Sequence, residues 1–135
     1  MASIPLPALD RPLTAPYWAA AREQRLMVQQ CNACQTRQWP PKPVCSTCLR
    51  EMTADDWVEV EPTGTVWSFI VYHRAFHPGF ADRLPYNVAM VRLDAGPMVI
   101  TNVVDCEKPV IGQRVTARFC PEGDEAVLVR FAPVA

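Results

Sequence analysis

Beyond residue 56, apolar and polar positions alternate in short runs. WVEVE, TVWSFIVYH, YNVAMVRLD, PMVITNVVD, QRVTARF and AVLVRF are rich in β-branched and aromatic residues, with turns containing PTG, DAG, IG and PEGD between them. That pattern predicts half-buried strands joined by turns. Asp94–Ala95–Gly96, between two strong runs, predicts a tight hairpin. Five or six such strands in so short a segment fit a small, highly curved sheet or barrel better than a sandwich. Upstream, RLMVQQ also alternates and reads as a strand running into Cys31. Ahead of it Thr14 offers an N-cap, Pro16 suits a first turn, and YWAAAREQ forms helix readily, so a helix is expected over residues 15–24. Tyr17, Trp18 and Ala21 share one face of that helix. The face either packs on the chain's own core or lies on a partner, since aromatic residues are enriched in interface cores. Residues 1–13 are proline-spaced and predict an extended arm.

Composition sharpens this mainly-β picture. Fourteen of the 135 residues are proline, about twice the usual share, and they are scattered from Pro5 to Pro133. A helix bundle is thereby excluded, because a proline inside a helix costs about 3 kcal/mol. The longest apolar stretch, Val66–Tyr72, is far short of the roughly 20 residues a bilayer requires. MASIPLPALDRPL has neither a basic start nor an apolar core, so a cytoplasmic setting is expected, with cysteines as thiols or metal ligands. The net charge of −1 argues against a general nucleic-acid or membrane-surface binder. Its distribution is uneven: residues 1–50 carry six bases against two acids, and residues 51–61 carry five acids and no base. The chain is therefore expected to divide into an arm and helix (1–24), a cysteine-rich ribbon (25–56) and a barrel (57–135).

The cysteines carry the clearest chemistry. Cys31-x2-Cys34 and Cys45-x2-Cys48 are separated by ten residues, and Trp39, Pro40, Pro41 and Pro43 stiffen the excursion between them. Two such knuckles at the end of a β-ribbon supply the four sulfurs that tetrahedral zinc prefers. A rubredoxin-like iron site would use the same sulfurs, whereas a redox pair needs only one CxxC beside a βαβ unit. Four thiolates leave no open position, so the metal is expected to be structural. Cys106 and Cys120 lie in or beside strand-like segments and are expected to be buried thiols. The two histidines, His73 and His77, stand in VYHRAFHPGF where a strand runs into Pro78–Gly79, which suits a loop or partner contact better than helical metal ligation. Asp55, Asp56, Glu59 and Glu61 read as a solvated strand edge rather than an acid–base pair. Nothing assembles into nucleophile, base and orienter, so the chain alone is not expected to be a catalyst.

The order PYWAAAREQRL, VQQCNACQTRQWPPKPVCSTC, WVEVEPTGTVWSFIVYHRAFHPGF, LPYNVAMVRLDAGPMVITNVVD and IGQRV resembles the zinc-ribbon/OB-fold accessory proteins of the domain-of-unknown-function-35 group, from about Thr14 to Phe131. The resemblance implies an N-terminal helix, a rubredoxin-like zinc ribbon and a C-terminal OB-fold barrel. It also implies a small non-catalytic subunit beside thiolase-like or ketosynthase-like enzymes, acyltransferases or acyl-CoA hydratases. Such a subunit bridges its neighbours, guides acyl-CoA and shapes the mouth of the substrate tunnel. By the same resemblance Cys31, Cys34, Cys45 and Cys48 would bind zinc, and Tyr17 and Trp18 would contact a neighbour. The loop from His73 to Pro85 would face the partner's active site. The version with His73 and His77 resembles subunits of acyltransferase complexes acting on polyketide-like phenolic substrates. Coenzyme A brings phosphates that call for guanidinium or ammonium groups, and Arg22, Arg25, Arg37, Lys42 and Arg50 are the candidates near Trp18 and Trp39. They would equally serve to solvate the ribbon.

Two other functions compete. One is a single-stranded nucleic-acid-binding OB-fold with a zinc ribbon, opposed by the charge balance and the acidic run. The other is a free-standing enzyme using His73 or His77.

Overall fold

A computed structural model describes residues 3–134. The helix α1 spans Ala15–Arg22 with Pro16 in its first turn. Thr14 occupies the N-cap, but its hydroxyl makes no capping hydrogen bond. The helix stops two residues short of expectation because Gln24 turns left-handed (φ 60°) and the Arg25 N–H returns to the Ala20 carbonyl at 2.9 Å. Ala20 and Ala21 are buried where α1 packs on strands β1 (Leu26–Gln30) and β8 (Ala126–Pro133).

The strands are β1 (Leu26–Gln30), β2 (Arg37–Gln38), β3 (Trp57–Val60), β4 (Thr63–Tyr72), β5 (Tyr86–Leu93), β6 (Met98–Thr101), β7 (Arg114–Glu122) and β8 (Ala126–Pro133). They form a three-stranded sheet, β2-β1-β3, and a five-stranded sheet, β6-β5-β4-β7-β8, antiparallel throughout. The larger sheet curls until its ends meet. Val103 bridges Phe131, the Phe131 N–H donates to the Asn102 carbonyl, and the Thr101 hydroxyl donates to the Val129 carbonyl. This is the OB-fold barrel, and the mainly-β reading with one helix and a ribbon holds. The Asp94–Gly96 hairpin also forms, with the Gly96 N–H donating to the Leu93 carbonyl and Gly96 at φ 121°. Pro78–Arg83 adds a short 3-10 helix between β4 and β5, where only a loop was expected.

Residues 57–60 form β3, which hydrogen-bonds to β1, and the chain passes between the sheets at Glu61–Pro62. One hydrophobic cluster serves both units: Leu26, Val28 and Val60 from the ribbon sheet join Val66, Val91 and Phe131 from the barrel. The smaller sheet therefore does not rely on its own few apolar residues.

Gly64 lies at the centre of the larger sheet, opposite Leu93 on one side and Val115 on the other. A Cβ there would collide with the Arg92 carbonyl oxygen and come within 2.8 Å of Val91 Cγ1. Gly64→Ala should destabilise the protein by about 1–3 kcal/mol, the usual cost of overpacking. Denaturant melts check this, and a midpoint equal to wild type would show that the strands can separate freely.

Candidate functional site

The four paired cysteines meet at the tip of the ribbon. Their sulfurs all lie within 4.8 Å of one another, with Cys34–Cys45 at 3.5 Å and Cys31–Cys48 at 3.6 Å. A tetrahedron with metal–sulfur bonds of 2.3 Å has edges of about 3.8 Å, so the cluster already has the size of a zinc site. Cys31 and Cys45 are buried, while Cys34 and Cys48 face the surface.

The two knuckles repeat one backbone pattern. In the first, the Cys31 N–H donates to the Thr36 carbonyl and the Gln35 N–H to the Cys31 carbonyl; in the second, Cys45 and Arg50, and Leu49 and Cys45, do the same. Gln35 and Leu49, each directly after the second cysteine of its pair, are left-handed at φ 66° and 65°. This geometry aims the amide two residues after each cysteine at its sulfur: Ala33 at Cys31, Thr36 at Cys34, Thr47 at Cys45 and Arg50 at Cys48. Such donors favour thiolates. The amides of Cys34 and Ala33, together with the Arg50 side chain, overcome desolvation and bring the Cys31 thiol down to about 6. At Cys48 the Arg50 amide pulls downward, but desolvation and the other three thiols push the group up to about 11. One thiolate forms readily and the last resists, as expected of four crowded sulfurs until a cation neutralises them.

A second layer supports the first. Asp56 is fully buried, and its carboxylate accepts from the Asn32 and Thr53 amides, the Thr53 hydroxyl and the Arg50 guanidinium. Asp56 is therefore not part of a solvated edge; Asp55, Glu59 and Glu61 are exposed as expected. Burial alone would raise the Asp56 carboxyl, but those donors outweigh it and hold the group below the ordinary aspartate range. Arg50 in turn lies beside the Cys31 sulfur, and its buried Nε has no hydrogen-bond partner. A thiolate acceptor suits that orphaned donor, and four thiolates around zinc leave a negative charge for the guanidinium to offset. The donor set fits structural zinc.

Two buried glutamines complete the ribbon. Gln29 donates to the Lys42 carbonyl and accepts from the Lys42 amide and from Gln38 Nε2, while Gln38 also reaches the Val44 carbonyl and the Ser46 amide. They hold the proline-rich excursion in place of an apolar core.

The other expected site residues are spread over the surface. Tyr17 packs on Trp39 at 4.7 Å and on Trp18 at 4.8 Å, and burial raises its phenol well above the ordinary tyrosine range. Trp18 is half-buried beside it. Of the five cations, Arg25 bonds Glu23 and Glu59, Arg37 bonds Gln30 and the Ala95 carbonyl, and Arg50 bonds Asp56. Arg22 and Lys42 are exposed. Cys106 and Cys120 are half-buried rather than buried, Cys106 against the core and Cys120 in β7.

His73 and His77 are both exposed in the loop between β4 and β5. His77 Nδ1 accepts from the Gly79 N–H at 3.0 Å and caps the 3-10 turn. The base of the loop is aromatic. Tyr72 stacks on Tyr86 across the strand pair, Phe76 meets Tyr72 edge-on, and Phe80 tilts against Tyr86. A cavity of about 420 Å³ opens between Tyr72, Phe76, Phe80, Tyr86, Val88 and Asn102.

Residues 18–53 match the family model described as the ChsH2 rubredoxin-like zinc ribbon domain, and residues 57–120 match the ChsH2 C-terminal OB-fold domain. A solved structure described as the Ltp2-ChsH2(DUF35) aldolase is 38% identical, covers 94% of this chain and 98% of its own, and superposes with a TM-score of 0.79. The chain belongs to the DUF35 zinc-ribbon and OB-fold family. A probable enoyl-CoA hydratase alpha subunit of Thermomonospora curvata is 38% identical over 133 residues, 96% of this chain. This chain spans only 40% of that relative's length. A DUF35 domain-containing scaffold protein of Methanocaldococcus jannaschii is 27% identical, with 87% of this chain and 88% of that one covered. A DUF35 protein of unknown function from Sulfolobus solfataricus is 12% identical with a TM-score of 0.61, covers 91% and 86% of the two chains, and shares the fold. Zinc in the four-cysteine site of this DUF35 chain is structural.

Proposed function

We propose that this chain is a non-catalytic accessory subunit of an acyl-CoA-processing enzyme complex, acting in the cytoplasm beside a thiolase-like or ketosynthase-like partner. The observation that carries the reading is the 38% identity, over nearly the whole of both chains, to the solved protein described as the Ltp2-ChsH2(DUF35) aldolase. The relative described as an enoyl-CoA hydratase alpha subunit supports the acyl-CoA setting. In this reading the zinc site fixes the ribbon as a rigid element, and the barrel presents the His73–Pro85 loop to the mouth of the partner's acyl channel. Trp18, half-buried at the side of α1, is available for contact, whereas Tyr17 is largely engaged within the chain. Arg22 and Lys42 are the cations best placed to meet coenzyme A phosphates, because the other three candidates already bond within the chain.

Co-expression with untagged neighbouring acyl-CoA enzymes tests the proposal. The expected result is a complex of fixed stoichiometry whose acyl-CoA turnover depends on this chain, while the chain alone is inactive. Turnover by the isolated chain, lost in His73→Ala, would establish a free-standing enzyme instead.

A further inference from the structure

The outer face of β4, β5 and β6 carries an apolar surface that the barrel does not bury. In β4 the pairing with β5 slips between Val66 and Ser68, so Trp67 is the extra residue of a β-bulge. Val66 points into the core, and Trp67 and Ser68 then both stand outward. Without the bulge, simple alternation would give Trp67 and Ser68 opposite faces. Trp67 is 51% exposed, and Arg92 lies over its indole at 4.2 Å.

The register extends the surface. Ser68 pairs with Met90, Met90 with Ile100, and Ile70 with Val88, all on the outward side. Ile70 is 54% and Ile100 71% exposed. At one end the exposed Phe76 carries Arg74 over its ring. At the other, the Gly112 N–H donates to the Val66 carbonyl and sets the exposed Val110 and Ile111 next to the bulge. Arg74 and Arg92 sit over aromatic rings of this face, and beyond Arg92, Arg114 bonds Thr65 and pairs with Asp94. An apolar centre with tryptophan and arginine anchors matches the composition of binding hot spots, and its rim is net cationic: Arg74, Arg92 and Arg114 outnumber Asp94, which pairs with Arg114. Its complement is an apolar patch rimmed by carboxylates.

We infer that this bulge-centred face is where the chain seats its acyl-CoA-processing partner subunit, which must present such an acid-rimmed apolar patch. The inference rests on the accessory-subunit reading above and adds the surface and the partner's chemistry. The His73–Pro85 loop, which supplies Arg74 and Phe76, then meets the partner at one edge of the contact, and the zinc ribbon stays outside it.

Calorimetric titration of the zinc-loaded chain against each purified neighbouring acyl-CoA enzyme of the co-expression experiment provides the test. Trp67→Ser and Ile100→Ser should each weaken binding about 30-fold or more. Val134→Ser, an exposed apolar residue at the end of β8, should change it less than about 2-fold. Arg92→Ser should mainly flatten the salt dependence of association. Wild-type melting and zinc content show that a variant is folded. Hydrogen exchange on the wild-type pair reads the face without any substitution, as added protection at residues 67–70 and 98–101. A complex that forms but ignores both substitutions, with protection elsewhere, overturns the surface and leaves the accessory reading standing. Absence of any complex with wild type overturns both. Salt-dependent binding to oligo-dT that needs Trp67, or self-association in sedimentation lost in Trp67→Ser, reassigns the face and also overturns the inference.

Discussion

Removing zinc should unfold the ribbon and loosen the barrel with it. Structural zinc in small ribbons contributes on the order of 10 kcal/mol at neutral pH, comparable to the whole stability of an ordinary domain. The ribbon has little else to hold it. Its interior is the Gln29–Gln38 network and the Asp56 carboxylate, and each of these bonds requires the knuckles to stay in register. Because Leu26, Val28 and Val60 lie in the same apolar cluster as Val66 and Phe131, the damage should extend into the barrel. Trp39, packed between Tyr17 and Trp57, reports on the join between helix and ribbon. Chelation, or Cys31→Ser, should therefore abolish near-ultraviolet circular dichroism from this aromatic cluster and lower the melting temperature sharply. Retention of the full tertiary spectrum after complete zinc removal would show that the metal is dispensable to the fold.

The zinc ligands were legible because thiolate chemistry imposes a local spacing that survives in one dimension. Strand β5 was legible for a similar reason, since its burial alternates almost strictly from Tyr86 to Leu93. Where long-range partners decide a residue's surroundings, the sequence carries less. Gln29 and Gln38 look like ordinary polar strand positions, yet the backbone of the proline-rich excursion buries both. Asp56 lies in a run of five acids that suggests solvent, and only folding brings Asn32, Arg50 and Thr53 around it. Strand β2 is two residues long, too short to show any period. TVWSFIVYH announces a strand but not its bulge, because a bulge appears only against the neighbouring strand. Cys106 and Cys120 are expected to be buried because they stand in or beside strand-like runs, yet both are half-covered in the fold.

Asp56→Ala should cost about 2–4 kcal/mol, because a fully buried carboxylate and the hydrogen bonds it accepts are lost together. The loss is spread over several donors. The Asn32 and Thr53 amides would be left without acceptors, and each such orphan costs about 1–3 kcal/mol. Arg50, half-exposed, would recover part of its solvation but lose the carboxylate that holds it beside Cys31. Asp56→Asn should recover only part of the deficit, because its NH2 group would face donors where a carboxylate oxygen now accepts. The pH dependence has a definite sign. A carboxyl held below its ordinary range in the folded state stabilises the protein fully above the unfolded value near about 4, and that contribution fades as the pH falls through the lower folded value. Wild type should therefore lose stability relative to Asp56→Ala as the medium is acidified below about 4, narrowing the gap between them. Zinc competition with a chelator provides a second readout, since Asp56 anchors the residue after Cys31: the alanine variant should release metal faster at neutral pH. Equal melting and equal zinc release in the two proteins would show that Asp56 is buried without supporting the metal centre.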